Sequence, residues 1–320
     1  MEEIEKGFNH QKNEVEGEYK KVFEDIKYFA NERKEGREPV DGPLLMVLSG
    51  TQRGIYGASG CVALEQLGLR NGFKTAVGVS AGSPAISYLL AGQIEIGITI
   101  HYEENVGKEF IDLRRGGQDG KSAVDITWLV NNVFRNGPKK LNIEEFEKNK
   151  TQVFYAATDA LTGEGELLDG KHLVDPVEGI RASVAIPEMY KEKVIINVDG
   201  VERQFVDGAV AYPFPVIETL ELVHPTSVLV FANRPKITEE SFFSKLINKY
   251  QSMVVATSLE KNILLGRKIF ERELYELRNS GIPYIIIWTD DKVGAYERNP
   301  EKLKEVGGNF KNYVLSLYNS

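Results

Sequence analysis

Two short apolar runs, each followed by a glycine-containing turn and a helical pattern, constrain the fold of this chain more than any other feature. The first run is Leu44–Leu48 and the second is Thr75–Val77, with helical patterns near residues 57–67 and 85–91. Short apolar runs bounded by turn residues are typical of strands that are buried on both faces. The order strand, helix, strand, helix predicts parallel pairing and an α/β fold.

Further apolar runs continue this pattern along the chain. Asp199-Gly200 between two of them is a strong hairpin signal. Amphipathic helical patterns fill roughly residues 239–279 and 299–318. We expect additional strands at residues 153–157, 167–168, 194–198, 204–206, 228–231 and 284–288. The sequence therefore predicts one α/β domain over residues 44–320, preceded by a charged helical N-terminal arm over residues 1–43.

The acidic composition limits the classes of partner. Lys and Arg number 39 against 47 Asp and Glu, which gives a net charge of −8. Because phosphate neutralisation needs a cationic face, we exclude nucleic acid as the main partner. Cys61 is the single cysteine, so no internal disulfide forms, and residues 1–10 lack the apolar core of a secretory signal. We expect a cytoplasmic protein whose contact with membranes is peripheral.

A serine stands in the turn that follows the second predicted strand. Gly78-Val79-Ser80-Ala81-Gly82 matches G-x-S-x-G, a weak pattern by itself. Its place between a strand and a helix is the setting of a nucleophile elbow, where flanking glycines make room for a strained turn. The N-terminus of the next helix favours negative charge at Ser80. We predict that Ser80 is a nucleophile and that Gly78, Val79, Ala81 and Gly82 form its elbow; the alternative is a packing turn with an N-capping serine.

A nucleophilic serine needs a base, and the sequence offers two candidates. An α/β-hydrolase uses a histidine late in the chain, and only His224 of the four histidines is placed suitably. Its position at an apparent helix end favours a capping role instead. A carboxylate can accept the serine proton directly, and Asp207 ends a predicted strand just before Gly208 and Ala209. Because Asp-Gly pairs also form simple turns, both candidates stay open.

The turn after the first predicted strand is a candidate oxyanion site. Residues 49–54 read SGTQRG and connect a strand to a helix. Backbone N–H groups exposed in such a turn can stabilise the oxyanion of an acyl-transfer intermediate, which makes Gly50, Thr51, Gln52 and Arg53 candidates. Arg53 adds positive charge that can attract an anionic head group or pair with a surface carboxylate. The turn lacks the glycine patterns of nucleotide-binding loops.

In this order, the three segments resemble the patatin-like phospholipase family. That family has an oxyanion turn G-G-G-x-[RK]-G, then G-x-S-x-G, then D-G-[GA] with the catalytic aspartate. Here the corresponding residues are 49–54, 78–82 and 207–209. Residues 181–187 (RASVAIP) are also similar to the family's segment ahead of the aspartate. The resemblance covers about residues 44–318 and leaves the arm outside.

The resemblance implies a three-layer α/β/α fold with a mostly parallel sheet, and a lipid or acyl-ester substrate hydrolysed without a metal or cofactor. In the implied mechanism Asp207 accepts the proton of Ser80, which attacks the ester carbonyl. Backbone N–H groups around Gly50 and Thr51 hold the oxyanion. The first and third family glycines are Ser49 and Thr51 here. If position 51 requires a positive φ, a β-branched side chain destabilises the turn.

Two other functions are compatible with the same residues. A Ser–His–Asp hydrolase would use His224 as its base. A catalytically weak relative, with an altered oxyanion turn, would instead bind lipid or a partner protein.

Overall fold

The apolar runs of the sequence form the centre of one mixed sheet in the computed structural model of the protein. The structure describes residues 13–118, 120–187, 189–236, 257–290 and 292–320. The strands are β1 (Glu14–Gly17), β2 (Leu44–Val47), β3 (Thr75–Val79), β4 (Gln152–Asp159), β5 (Gly165–Asp169), β6 (Val194–Val198), β7 (Val201–Asp207), β8 (Val228–Phe231) and β9 (Tyr284–Trp288). The helices are α1 (Tyr19–Lys34), α2 (Gly54–Gln66), α3 (Gly82–Leu90), α4 (Ile94–Gly97), α5 (Ile126–Leu129), α6 (Ile143–Lys148), α7 (Pro176–Val184), α8 (Val216–Val223), α9 (Thr257–Asn279) and α10 (Pro300–Tyr318).

Parallel strands make the centre of the sheet, and antiparallel strands extend it on both sides. Across the described ranges the order is β1-β9-β8-β2-β3-β4-β7-β6, with β5 also paired to β4. The pairs from β9 through β8, β2 and β3 to β4 are parallel. β6 and β7 form the predicted hairpin, and both of its turn residues, Asp199 and Gly200, have positive φ.

Strand side chains alternate between two hydrophobic cores. Leu45 and Val47 of β2 belong to one core together with α2, α3 and α10. Leu44 and Met46 belong to the other, which Val216 and Phe270 of α8 and α9 complete. Because both faces of the sheet are covered by helices, its strands are apolar throughout rather than alternating. The predicted three-layer α/β/α fold is therefore confirmed.

The register of β4 decides where the candidate site lies. Residues 154–156 of β4 pair with β3 and with β5, and residues 157–158 pair with β7 and with β5. β3 and β7 must therefore share the edge of β4 that β5 does not use. β3 ends at Val79 opposite Ala156, and β7 ends at Asp207 opposite Ala157. The two strands run in opposite directions and meet end to end at this point.

The N-terminal segment joins the same sheet. β1 pairs antiparallel with β9 and covers what would otherwise be an open edge. In α1 the residues at helical spacing, Val22, Phe23, Ile26 and Phe29, are buried. The sequence did not predict β1, because its four residues are half polar and its partner lies far along the chain.

The long helical patterns near the C-terminus are present where the structure describes them. α9 begins at Thr257, so residues 239–256 of the predicted 239–279 pattern lie outside the described residues. α10 begins with Asn299 as N-cap and Pro300 in its first turn, as expected for a well-terminated helix. Among the described residues, no helix is both long enough and apolar enough to span a membrane.

Candidate functional site

Ser80 occupies a strained turn between β3 and α3. Its φ of +52° lies in the left-handed region, which non-glycine residues adopt at a cost. The residues two positions before and after Ser80 must be glycine for steric reasons. A Cβ on Gly82 would stand 1.9 Å from the Val47 carbonyl oxygen, and one on Gly78 would stand 2.5 Å from Ser83 Cα. The backbone around Ser80 is therefore held in a geometry that presents its hydroxyl outside the strand.

Asp207 lies directly opposite this hydroxyl. Ser80 Oγ donates a hydrogen bond of 2.6 Å to Asp207 Oδ2, and the Ala209 N–H donates to Oδ1 at 2.8 Å. Gly208 is again a steric requirement, because a Cβ there would stand 2.1 Å from the Ala156 carbonyl oxygen. Asp207 is only 3% exposed. Burial raises the pKa of Asp207 to about 6, although both hydrogen bonds act in the opposite direction.

The C-terminal end of α7 holds both residues in place. Ser183 Oγ accepts the Ser80 N–H at 3.0 Å and the Ser83 hydroxyl at 2.8 Å. Two residues on, the Ala185 carbonyl accepts the Asp207 N–H at 2.9 Å. Sequence reasoning noted residues 181–187 only as a similar segment and assigned no role to Ser183. The available signal in the sequence was a serine between Ala182 and Val184, within the mostly apolar stretch that ends at Pro187.

The candidate oxyanion turn leaves two backbone N–H groups free. The Gln52 N–H donates to the Ala295 carbonyl at 3.1 Å, and the Arg53 N–H donates to the Gly50 carbonyl at 3.0 Å. The N–H groups of Gly50 and Thr51 find no acceptor within the described ranges. Of the four predicted residues, Gly50 and Thr51 can therefore supply backbone donors, whereas the backbone N–H groups of Gln52 and Arg53 are already bonded.

Thr51 adopts a left-handed backbone conformation. Its φ is +52°, a region in which a β-branched side chain is strained. We expect Thr51→Gly to raise the free energy of unfolding by about 1 kcal/mol, the relief of strain less the added entropy of glycine in the unfolded chain. Thr99 does not have a positive φ, so Thr99→Gly should lower the free energy of unfolding instead. Chemical denaturation of both variants tests this, and a loss of stability in Thr51→Gly would contradict it.

A deep pocket begins at Ser80 and continues beneath α2 and α3. Its empty space, including the part that is open to solvent, amounts to about 690 Å³. Most of its walls are apolar, and they are formed by Ala58, Ala81, Pro84, Ala85, Tyr88, Ile94, Ile100, Phe110, Val124, Ile126, Leu129, Phe134, Val184 and Ile186. His101 also lines the pocket, and burial lowers its pKa to about 4. Sequence reasoning set His101 aside because it precedes Asp207.

The structure does not bring His224 to the nucleophile. His224 is the exposed C-cap of α8, with a left-handed φ of +42° and its N–H bonded to the Leu220 carbonyl. His224 precedes β8, whereas Ser80 follows β3. Because β3 and β8 run in the same direction, the two residues lie at opposite ends of these strands. Another histidine, His172, pairs with Asp169 on the surface.

Comparison with known proteins identifies one family. The family model described as patatin-like phospholipase matches residues 46–220. No curated protein matches the chain. The crystal structure of VipD from Legionella pneumophila aligns with a TM-score of 0.43 and 11% sequence identity, over 88% of this chain and 67% of that chain. The matched residues 46–220 contain the oxyanion turn, the elbow and the aspartate.

Proposed function

Since the chain belongs to the patatin-like phospholipase family, we propose that it is a serine acyl hydrolase with Ser80 as nucleophile and Asp207 as its base. One observation carries the proposal: a buried carboxylate accepts a 2.6 Å hydrogen bond from a serine held in a strained elbow. A nucleophile and a base within hydrogen-bond reach are the minimum that covalent acyl transfer requires.

The environment of Asp207 suits a general base. Proton transfer is most effective when the pKa of the base lies near the working pH. Burial raises the pKa of Asp207 to about 6, so the carboxylate is still ionised at neutral pH but accepts a proton more readily than an exposed aspartate. No histidine is needed between the two groups, because Oγ already donates to Oδ2.

The reaction proceeds in two acyl-transfer steps. Ser80 Oγ attacks the ester carbonyl carbon while its proton passes to Asp207, and the Gly50 and Thr51 N–H groups stabilise the oxyanion. Collapse of the intermediate breaks the ester bond, and Asp207 returns the proton to the leaving alcohol. Water then attacks the acyl-enzyme and gives a proton to Asp207. Collapse of this second intermediate breaks the bond to Ser80 Oγ, Asp207 returns the proton to that oxygen, and the free acid leaves.

The pocket and its surroundings support a lipid substrate. Its apolar walls start at Ser80 and are suited to an acyl chain. Arg53 Nε finds no partner among the described residues, and burial lowers the pKa of its guanidinium, so an anionic head group would relieve an unfavourable burial. We propose phospholipids or related acyl esters as substrates, met by peripheral contact with a membrane from the cytoplasmic side.

Reaction with a fluorophosphonate, mapped by mass spectrometry, tests the proposal. We expect the adduct on Ser80 in the unaltered protein and its loss in Asp207→Asn. Absence of labelling with and without lipid, together with binding to liposomes, would support the catalytically weak lipid-binding relative instead. Such a result would point to the strained Thr51 as the cause.

The dependence of kcat/KM on pH should reveal the pKa of the base, Asp207. Only ionised Asp207 can accept the Ser80 proton, and its pKa is about 6. We therefore expect kcat/KM to be level above this pH and to fall about tenfold per pH unit below it. Measurement between pH 4 and 9 with a chromogenic ester checks this, and a profile that stays level down to pH 4 would exclude Asp207 as a base with a raised pKa.

Ser183 is expected to act as a positioning residue. Ser183→Ala removes the acceptor of the Ser80 N–H and leaves that buried donor unpaired, at a cost of about 1–3 kcal/mol. Loss of this bond would also loosen the position of Ser80 in the elbow. We therefore expect kcat to fall by roughly 10- to 100-fold with KM unchanged.

Ser87→Ala is the matched control for this prediction. The Ser87 hydroxyl is equally buried but bonds the Ser83 carbonyl and Tyr155 rather than Ser80. A similar loss of stability without a loss of kcat is expected there. Equal effects of both variants on kcat would show that Ser183 has only a structural role.

A further inference from the structure

One corner of the pocket is polar although the rest is apolar. This polar corner is lined by Gln52, His101 and Asn105. Gln52 Oε1, His101 Nδ1 and Asn105 Oδ1 are enclosed and have no hydrogen-bond partner among the described residues. Gln52 is 1% exposed and His101 is 7% exposed. Buried polar atoms in native proteins are almost always paired, so these three atoms indicate a missing partner.

The Gln52 side chain is bonded to the backbone of the other two residues of the polar corner. Its Nε2 donates to the carbonyl oxygens of His101 at 3.3 Å, Asn105 at 3.3 Å and Glu297 at 3.0 Å. The opposite amide orientation would place an oxygen against three oxygens. Oε1 is therefore an acceptor turned away from these carbonyls, and a partner for it must carry a hydrogen-bond donor.

The polar corner lies beside the reacting centre. A Cβ built on Gly54 would stand 2.7 Å from Ala81 Cβ and 2.9 Å from His101 Cε1. The imidazole is therefore close to Ala81, the residue that follows the nucleophile. A group bound at the polar corner would therefore lie near Ala81 and the nucleophile turn.

The described part of the pocket lining offers a charged ligand no acidic or strongly basic side chain. None of the described residues that line the pocket is Asp, Glu, Lys or Arg. An alkyl segment would leave all three polar atoms unpaired. A hydroxyl can donate its hydrogen to Gln52 Oε1 or Asn105 Oδ1, and it can accept one from His101 when Nδ1 is protonated.

We infer that the polar corner selects acyl esters that carry a hydroxyl on one of the first carbons beyond the carbonyl. The choice of an ester rests on the proposed function, and the hydroxyl preference rests on the three unpaired atoms. A site that hydrogen-bonds a substrate hydroxyl discriminates strongly against the analogue without it, because its own polar groups are then left unpaired.

Binding to the Ser80→Ala protein tests the inference without turnover. Calorimetry compares methyl decanoate with methyl 2-hydroxydecanoate and methyl 3-hydroxydecanoate. We expect at least one hydroxylated ester to bind about tenfold more tightly than the plain ester. Asn105→Leu and His101→Phe, each added to Ser80→Ala, should reduce this preference to within about threefold.

Tyr88→Phe is the matched control. Tyr88 also lines the pocket, but its hydroxyl already donates to the Lys139 carbonyl at 2.6 Å, so the preference should persist. If His101→Phe does not fold, the half-buried Asn105 provides the milder variant. Equal binding of all three esters, no binding of any, or a preference that survives Asn105→Leu would each overturn the inference. Fluorophosphonate labelling of the unaltered protein reports separately on the hydrolase itself.

Discussion

Ser80→Ala is expected to lower kcat for ester hydrolysis by about 10⁶-fold, the loss typical of removing a nucleophile from a cooperating catalytic group. The substitution deletes the atom that forms the acyl-enzyme and leaves only binding and oxyanion stabilisation. Among the described residues, Ser80 Oγ is the only hydroxyl that donates to the Asp207 carboxylate, so no second hydroxyl is held against the base. Steady-state kinetics with a chromogenic ester, and circular dichroism to verify folding, check this.

The double variant Ser80→Ala with Asp207→Asn should be no less active than Ser80→Ala alone. A base without its nucleophile has no proton to remove, so the two losses do not add. Additive losses would show that Asp207 serves the reaction by a route that does not involve Ser80. A residual rate near that of the unaltered protein in Ser80→Ala would mean that another residue is the nucleophile.

Asp207→Asn is expected to lower kcat by about 10⁴-fold, the upper end of what a general base contributes. The amide keeps the shape of the side chain and its oxygen can still accept the Ala209 N–H, but it cannot take the Ser80 proton. Substrate binding does not depend on this proton, so KM should change little. The measurement is again kcat and KM for the same ester.

Two variants serve as controls for the aspartate. Asp199→Asn alters another Asp-Gly pair, and asparagine tolerates the φ of +52° found there, so activity should not change. His224→Ala should also leave kcat unchanged, because that side chain is exposed at the end of α8. Full activity in Asp207→Asn, with a loss in His224→Ala, would favour the Ser–His–Asp alternative.

Local patterns in the sequence predicted most of the secondary structure near the site. The strands at residues 44–47 and 75–79, the hairpin at Asp199-Gly200 and the glycine requirement beside Ser80 depend on burial and on short-range steric contacts. Burial patterns and steric contacts of this kind involve only a few neighbouring residues, so they can be inferred from short stretches of sequence. The edge strand β1 escaped prediction because its pairing with β9 spans almost the whole chain.

Which residues meet at the site depends on contacts between segments that are far apart in the chain. Asp169, Asp199 and Asp207 each precede a glycine, and nothing within those dipeptides distinguishes a base from a turn. Only the register on β4 brings Asp207 to Ser80, and only the packing of α7 places Ser183 against the Ser80 N–H.

The sequence by itself thus determined the fold class, the elbow and the family, because those depend on residue types at short spacing. The tertiary structure alone decided that Thr51 has a positive φ, that His224 is remote from Ser80, and that an unpaired polar corner lies beside Ala81. Each of these depends on how distant segments meet, and that meeting is governed by sheet order and packing rather than by any local pattern.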